Sequence, residues 1–334
     1  MSRINNFDAI RLIAAVIVVI GHAWPLTGLP DAPSVATIPI HGLAVFVFFS
    51  LSGYLITQSW LITPSVPRFL AARVLRIFPA LIAFVIVALV VIGPLVTSLS
   101  TSAYVTDPGT RRFVRNLVLL PVYDLPGVFT GQPFTAVNGV LWTLGPEFVC
   151  YLAVLVLGIL LARFAIARAV LLTVGLAVIT VVSSGSTHMM AEAMVFFGVG
   201  SVIASVARMR TLPLWPALVA IPVWILVGTL IPAVAVYAAW VAVPYIVIAL
   251  GQRPTPVLRR GGRFGDLSYG TYLWGFPVQQ VVIHVFGYLP FVVNLALVLS
   301  VTLLIAWISW HAIEKHALAL KKRVGRRSIV PVLA

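Results

Sequence analysis

Charged side chains are scarce in this 334-residue chain. They make up 9% of it, against 61% hydrophobic residues. A soluble domain of that length needs more charge on its surface, so a soluble globular fold is excluded. Acids are the scarcer sign, 8 against 22 lysines and arginines, for a net charge of +14. The basic residues lie in short segments between apolar runs and form no face of a soluble fold, which argues against a nucleic-acid partner. Cysteine is nearly absent as well. Cys150 stands alone, ruling out an internal disulfide and a cysteine-built metal centre. The six histidines show no metal-ligand spacing, so no metal is expected. There is no internal repeat and no space between apolar runs for a soluble domain.

What is present is a series of apolar runs, each close to the roughly 20 residues that cross about 30 Å of hydrocarbon. They predict an all-α, polytopic integral membrane protein with ten spans, near residues 7–25, 40–59, 78–98, 142–162, 169–184, 188–206, 212–230, 233–250, 266–286 and 290–311. The first run reads as a span and not a signal peptide, because Asp8 and Arg11 interrupt its start and no cleavage site follows. All but three of the 22 lysines and arginines fall on one side of this arrangement, which predicts both termini in the cytoplasm. The exceptions, Arg111, Arg112 and Arg115, lie in the long loop 99–141, whose apolar part Phe113 to Val122 is expected to dip into the membrane. Residues 1–316 form the membrane domain on this reading. Residues 317–334, with KKRVGRR from Lys321, form a basic tail against the anionic inner leaflet. Prolines inside spans (Pro146, Pro222, Pro244 and Pro277) predict kinked helices around a cavity.

Ionisable residues within such spans are costly and call for a function. In the segment FDAIRLIAAVIVVIGHAW, Arg11 and His22 lie about three turns and roughly 16 Å apart on one helix face. Two interfacial residues snorkelling in opposite directions would also explain them. Asp8, three residues before Arg11, is placed to pair with it. Arg73 and Arg76 share a face on the cytoplasmic side. Their planar forks suit phosphate oxygens, although anchoring to lipid phosphates fits too. In FFSLSGYLI, Ser52 and Gly53 either let helices pack closely or leave room for a thin ligand. In LWTLGPEFVCY, Glu147 is expected at a depth similar to His22, where it could orient the ring; a protonated glutamate bonded to backbone is the alternative. His188 and Glu192, four apart, are placed to pair.

Taken in order, these segments resemble the acyltransferase-3 family of polytopic membrane acyltransferases. Arg11 and His22 match its arginine, ten residues, histidine opening; FFSLSGYLI its second-span motif; Arg73 and Arg76 its arginine pair; and LWTLGPEF its tryptophan-threonine-leucine-glutamate segment. FGDLSYGTYLWGFPV, from Phe264, resembles a late motif, and IEK at Ile313 to Lys315 sits where the last span ends. One departure stands out: Gly275 occupies a position where relatives often carry histidine.

The resemblance implies transfer of an acyl group, often acetyl, from cytoplasmic acyl-coenzyme A to a hydroxyl of a glycan or glycolipid outside, in a bacterial inner membrane. On that basis Arg73 and Arg76, with Arg11, Ser52 and Gly53, are expected to hold the donor. His22 is expected to act as general base in a direct transfer, a covalent acyl-histidine step being the alternative, oriented by Glu147, with Tyr54, Trp142 or Thr143 as candidate oxyanion donors. The rival reading is a carrier of a polar or anionic solute, since broken helices and intramembrane charges suit that role too. The missing repeat and the concentration of candidate residues in the first 150 positions weigh against it.

Overall fold

A computed structural model describes residues 5–208 and 210–321. Ten long helices make up its frame: α1 (Phe7–Leu26), α2 (Ile40–Ile62), α3 (Val66–Val96), α4 (Leu141–Leu160), α5 (Ala165–Val182), α6 (Gly185–Ala207), α7 (Trp215–Leu230), α8 (Pro232–Gly251), α9 (Ser268–Phe286) and α10 (Phe291–Ala319). Eight are long and apolar enough to cross a membrane. Of the other two, α7 is short at 16 residues, and α9 carries Ser268, Thr271, Gln279 and Gln280 in place of part of its apolar content. The chain is an all-α polytopic membrane protein. Its outer helices turn valine and leucine outward, as at Leu160, Val182 and Leu230, which lipid would cover.

Glycine sets the closest approaches. A Cβ on Gly53 would run into the backbone of Phe197, and one on Gly200 into that of Ser50, so α2 and α6 touch backbone to backbone. This is the small-residue packing by which helices associate in lipid. Gly53 is therefore a packing residue, and the thin-ligand reading of that position is corrected. At the centre of the bundle stands α9, buried almost throughout from Ser268 to Ile283. Its polar side chains are kept because protein surrounds them. Gln280 donates to the Phe134 and Ala136 carbonyls at 2.7 and 2.8 Å, and Asn138 donates to the Leu273 carbonyl at 2.9 Å.

Those bonds show where the long loop before α4 runs. Residues 132–140 descend along α9 as irregular backbone, which is tolerated at membrane depth only when buried in protein. The expected dipping segment is different: Phe113–Val118 forms a 3-10 turn on the flank of α3. Because the loop descends, α4 starts deep; after a 3-10 turn at Leu141–Thr143 its α-helical part begins at Leu144, and Pro146 lies in the first turn of that part, where a missing N–H costs little. The third span begins at Val66, well before residue 78, so Arg73 and Arg76 are part of the span itself. α10 continues past residue 316 to Ala319, and most of the basic tail lies outside the described residues. A two-stranded hairpin, β1 (Ser34–Val35) and β2 (Ile38–Pro39), joins α1 to α2. Its turn residues Ala36 and Thr37 have φ of 47° and 69°, the left-handed backbone that tight hairpins need.

Candidate active site

Two groups of ionisable residues lie in the bundle, one near each end of α1. At the inner end Arg11 meets Asp266 at 3.3 Å, and Arg76 meets Asp266 at 2.8 Å and Glu314 at 3.7 Å. The Asp8–Arg11 pair expected from spacing is thus replaced by a longer-range one. Asp266 sits in the loop just before α9, and Asp8 stays exposed beside the cluster. Burial alone would raise the Asp266 carboxyl, but Arg76 and Arg11, with hydrogen bonds from Ser268, hold it well below the usual carboxylate range. Arg73 has no carboxylate at ion-pair distance among the described residues. Its guanidinium lies 5.7 Å from the centroid of Phe69 and 5.8 Å from that of Tyr151, and its Nε has no hydrogen-bond partner among the described residues.

Glu147 belongs to this inner half. Its Oε1 accepts from Ser52 at 2.6 Å and from Tyr151 at 2.5 Å. Ser52 is about three helical turns, roughly 16 Å, further along α2 than His41, the neighbour of His22. The expected contact between Glu147 and His22 is therefore corrected. The deep start of α4 carries the carboxylate below the histidine's level. His22 is held within its own helix: Nδ1 lies 2.8 Å from the Val18 carbonyl. A carbonyl only accepts, so the neutral ring carries its proton on Nδ1 and presents Nε2 as a lone pair.

Around His22 the packing opens. One cavity of about 520 Å³ is bounded by His22, His41, Trp142, Glu192 and the hairpin. A second, of about 530 Å³, is bounded by His22, His41, Tyr123, Asp124, Thr135 and Phe276. Below them a narrow slot of about 40 Å³ is lined by Arg11, Val45, Phe49, Thr143, Glu147 and Tyr272. Val45 and Tyr272 line both the slot and the first outer cavity, so inner and outer sites share walls. The slot has room for a few water-sized positions, each needing roughly 10–15 Å³.

The remaining expected residues separate. Trp142 lines the first outer cavity, and Thr143 binds the Tyr272 hydroxyl at 2.8 Å in the slot wall. Tyr54 lies elsewhere: its hydroxyl accepts from Gln58 at 2.6 Å and Gln252 at 2.5 Å, near the inner end of α8, so it is corrected as an oxyanion donor. His188 Nε2 comes 3.8 Å from Glu192, the spacing expected of that pair. Sequence reasoning missed Asp266, Glu314, Tyr272 and His41. The signal for the first two was the rarity of acids: Asp8, Glu147, Asp266 and Glu314, half of the chain's 8 carboxylates, gather at the inner arginines.

Arginines lie at the inner end of the bundle, a histidine between cavities at the outer end, and a slot between them that shares Val45 and Tyr272 with one of those cavities. The family described as an acyltransferase domain matches residues 4–311, and the chain belongs to the acyltransferase-3 family. It is similar to an O-acetyl transferase of Shigella phage Sf6, 29% identical over 95% of this chain and 97% of the relative. It is also similar to nodulation protein 10 of Rhizobium leguminosarum bv. viciae, 35% identical over 44% of this chain and 42% of the relative. No solved structure matches.

Proposed function

We propose that this membrane acyltransferase takes an acyl group, acetyl in the simplest case, from cytoplasmic acyl-coenzyme A. It passes the group to a hydroxyl of a periplasmic or cell-surface glycan or glycolipid. The observation that supports this reading is that Val45 and Tyr272 wall both the slot at the arginine end and the cavity at the histidine end. The lysine and arginine asymmetry supports a cytoplasmic arginine end, on the side where acyl-coenzyme A is made, and a bacterial inner membrane is the membrane proposed.

The donor's phosphates meet Arg73, whose Nε lacks a partner among the described residues, and a neighbouring cavity of about 390 Å³ lined by Arg68, Lys321, Ser59 and Thr63. Arg76 and Arg11, already paired with carboxylates, hold the inner ends of α1, α3 and α9 together. The pantetheine arm follows the line of the slot, which has to widen beyond its about 40 Å³ to admit it, with Glu147 in its wall, and the thioester reaches His22. His22 Nε2 takes the proton of the acceptor hydroxyl as its oxygen bonds to the thioester carbon. The C–S bond then breaks and the thiolate recovers that proton.

The test uses inverted membrane vesicles from cells carrying the protein, supplied with radiolabelled acetyl-coenzyme A. Label is expected on envelope glycan with the wild type and not with His22→Ala. Equal labelling by both would remove His22 from catalysis, and no donor consumption by the wild type would end the acyltransfer reading. Mass spectrometry of surface glycans with and without the protein identifies the acceptor.

A further inference from the structure

His41 is conspicuous because the chemistry above makes no use of it. It stands in the first turn of α2, its ring centroid 4.8 Å from that of His22, and it lines both outer cavities. Gly21 permits this approach. A Cβ there would lie 2.7 Å from the His41 Cβ, 2.9 Å from its backbone nitrogen and 3.0 Å from its Nδ1. The bare backbone before His22 is therefore what brings the second imidazole beside the first.

The two rings differ in their hydrogen bonding. His22 Nδ1 donates to Val18, leaving Nε2 as an acceptor. His41 Nδ1 is buried against α1 with no hydrogen-bond partner among the described residues. A buried N–H without an acceptor is disfavoured more than an unfilled lone pair, so the neutral ring places its proton on Nε2. Side by side on the cavity wall are then a base and a donor.

We propose that His41 is a second catalytic imidazole, whose Nε2–H donates to the oxyanion formed on the thioester carbonyl as the hydroxyl attacks. This rests on the acyltransfer reading above. The electron pair of the C=O bond moves onto oxygen as the new C–O bond forms, His22 holds the hydroxyl proton, and His41 keeps its own proton throughout. When the carbonyl re-forms, the C–S bond breaks and the thiolate takes the proton from His22.

The test compares wild type, His41→Ala, His41→Gln and Gly21→Ala in inverted vesicles, following label transfer from acetyl-coenzyme A at several donor concentrations. Loss of one oxyanion donor typically lowers kcat by about 10²- to 10³-fold. That loss is expected for His41→Ala with an unchanged donor KM. His41→Gln keeps an N–H donor and should recover at least about a tenth of the wild-type kcat. Gly21→Ala, which leaves both imidazoles in place but forces them apart, should lower kcat without raising KM. Wild-type kcat in His41→Ala would overturn the proposal. So would equal losses in Ala and Gln variants accompanied by a raised donor KM, the mark of mere packing. If His41→Ala fails to insert, the Gln and Gly21 variants decide on the same criteria. A wild type that consumes no donor sinks the acyltransfer reading itself, a different result from a wild type that turns over unaffected by His41.

Discussion

The two ends of α1 are built on opposite principles. At the inner end the charges are dense and mostly paired: Asp266 binds two arginines, Arg76 two carboxylates, and Glu147 two hydroxyls. At the outer end two imidazoles face roomy cavities, and among the described residues their one polar bond is that from His22 to its own helix. A paired cluster in low dielectric resists rearrangement, because removing one partner leaves a buried charge. Neutral groups on a cavity wall remain available to a reactant. The inner end thus fixes geometry and the outer end is left free to react.

The largest effect expected from breaking this contrast is at His22. His22→Ala should abolish label transfer while the protein inserts and purifies normally, by a factor at or above the 10²–10⁴ typical of general base removal. Next comes Asp266→Asn, which should cost stability before chemistry. Losing one member of a buried pair typically costs about 3–5 kcal/mol, and partial exposure of these side chains favours the lower figure. A lowered melting temperature in detergent would show it, and an unchanged one would argue that the cluster is not structural.

The arginine pair sharpens the comparison further, since its two members should part company. Arg73→Ala should raise the donor KM about tenfold, the worth of one charge-assisted hydrogen bond at roughly 1.5 kcal/mol, with near-normal stability. Arg76→Ala should instead lose melting temperature. Equal KM effects with equal stability would restore the two as a matched phosphate clamp. The smallest effect is expected for Glu147→Gln. The amide oxygen can still accept from Ser52 and Tyr151, so kcat should stay within about tenfold of wild type. A loss as deep as that of His22→Ala would mean that the carboxylate acts on the histidine after all.

Much of this was legible in the chain. Apolar runs located the helices closely because a span must satisfy its own backbone, which leaves little choice of structure. The Arg11 and His22 spacing held because a helix fixes it. What failed were inferences across elements. Glu147 was placed by counting from a helix end that the descending loop shifts, and Asp8 was paired with its nearest neighbour although Asp266 lies closer in space. The third span was expected too late because Arg68, Arg73 and Arg76 lower the local hydropathy of its first turns, although Arg73 and Arg76 turn into the bundle. Gly275 shows the same limit from the other side. A Cβ there would collide with Val19 on α1, so a histidine, the residue the family resemblance leads one to expect, would not fit this packing. Nothing in the local sequence announces that contact.

The most direct test is a structure of the protein with a non-hydrolysable acetyl-coenzyme A analogue. The arm should run past Arg11, Val45 and Tyr272, with the carbonyl carbon set between His22 and His41. A donor whose acyl end stops at the cytoplasmic surface, with Val45 and Tyr272 closed above it, would contradict the route through the bilayer.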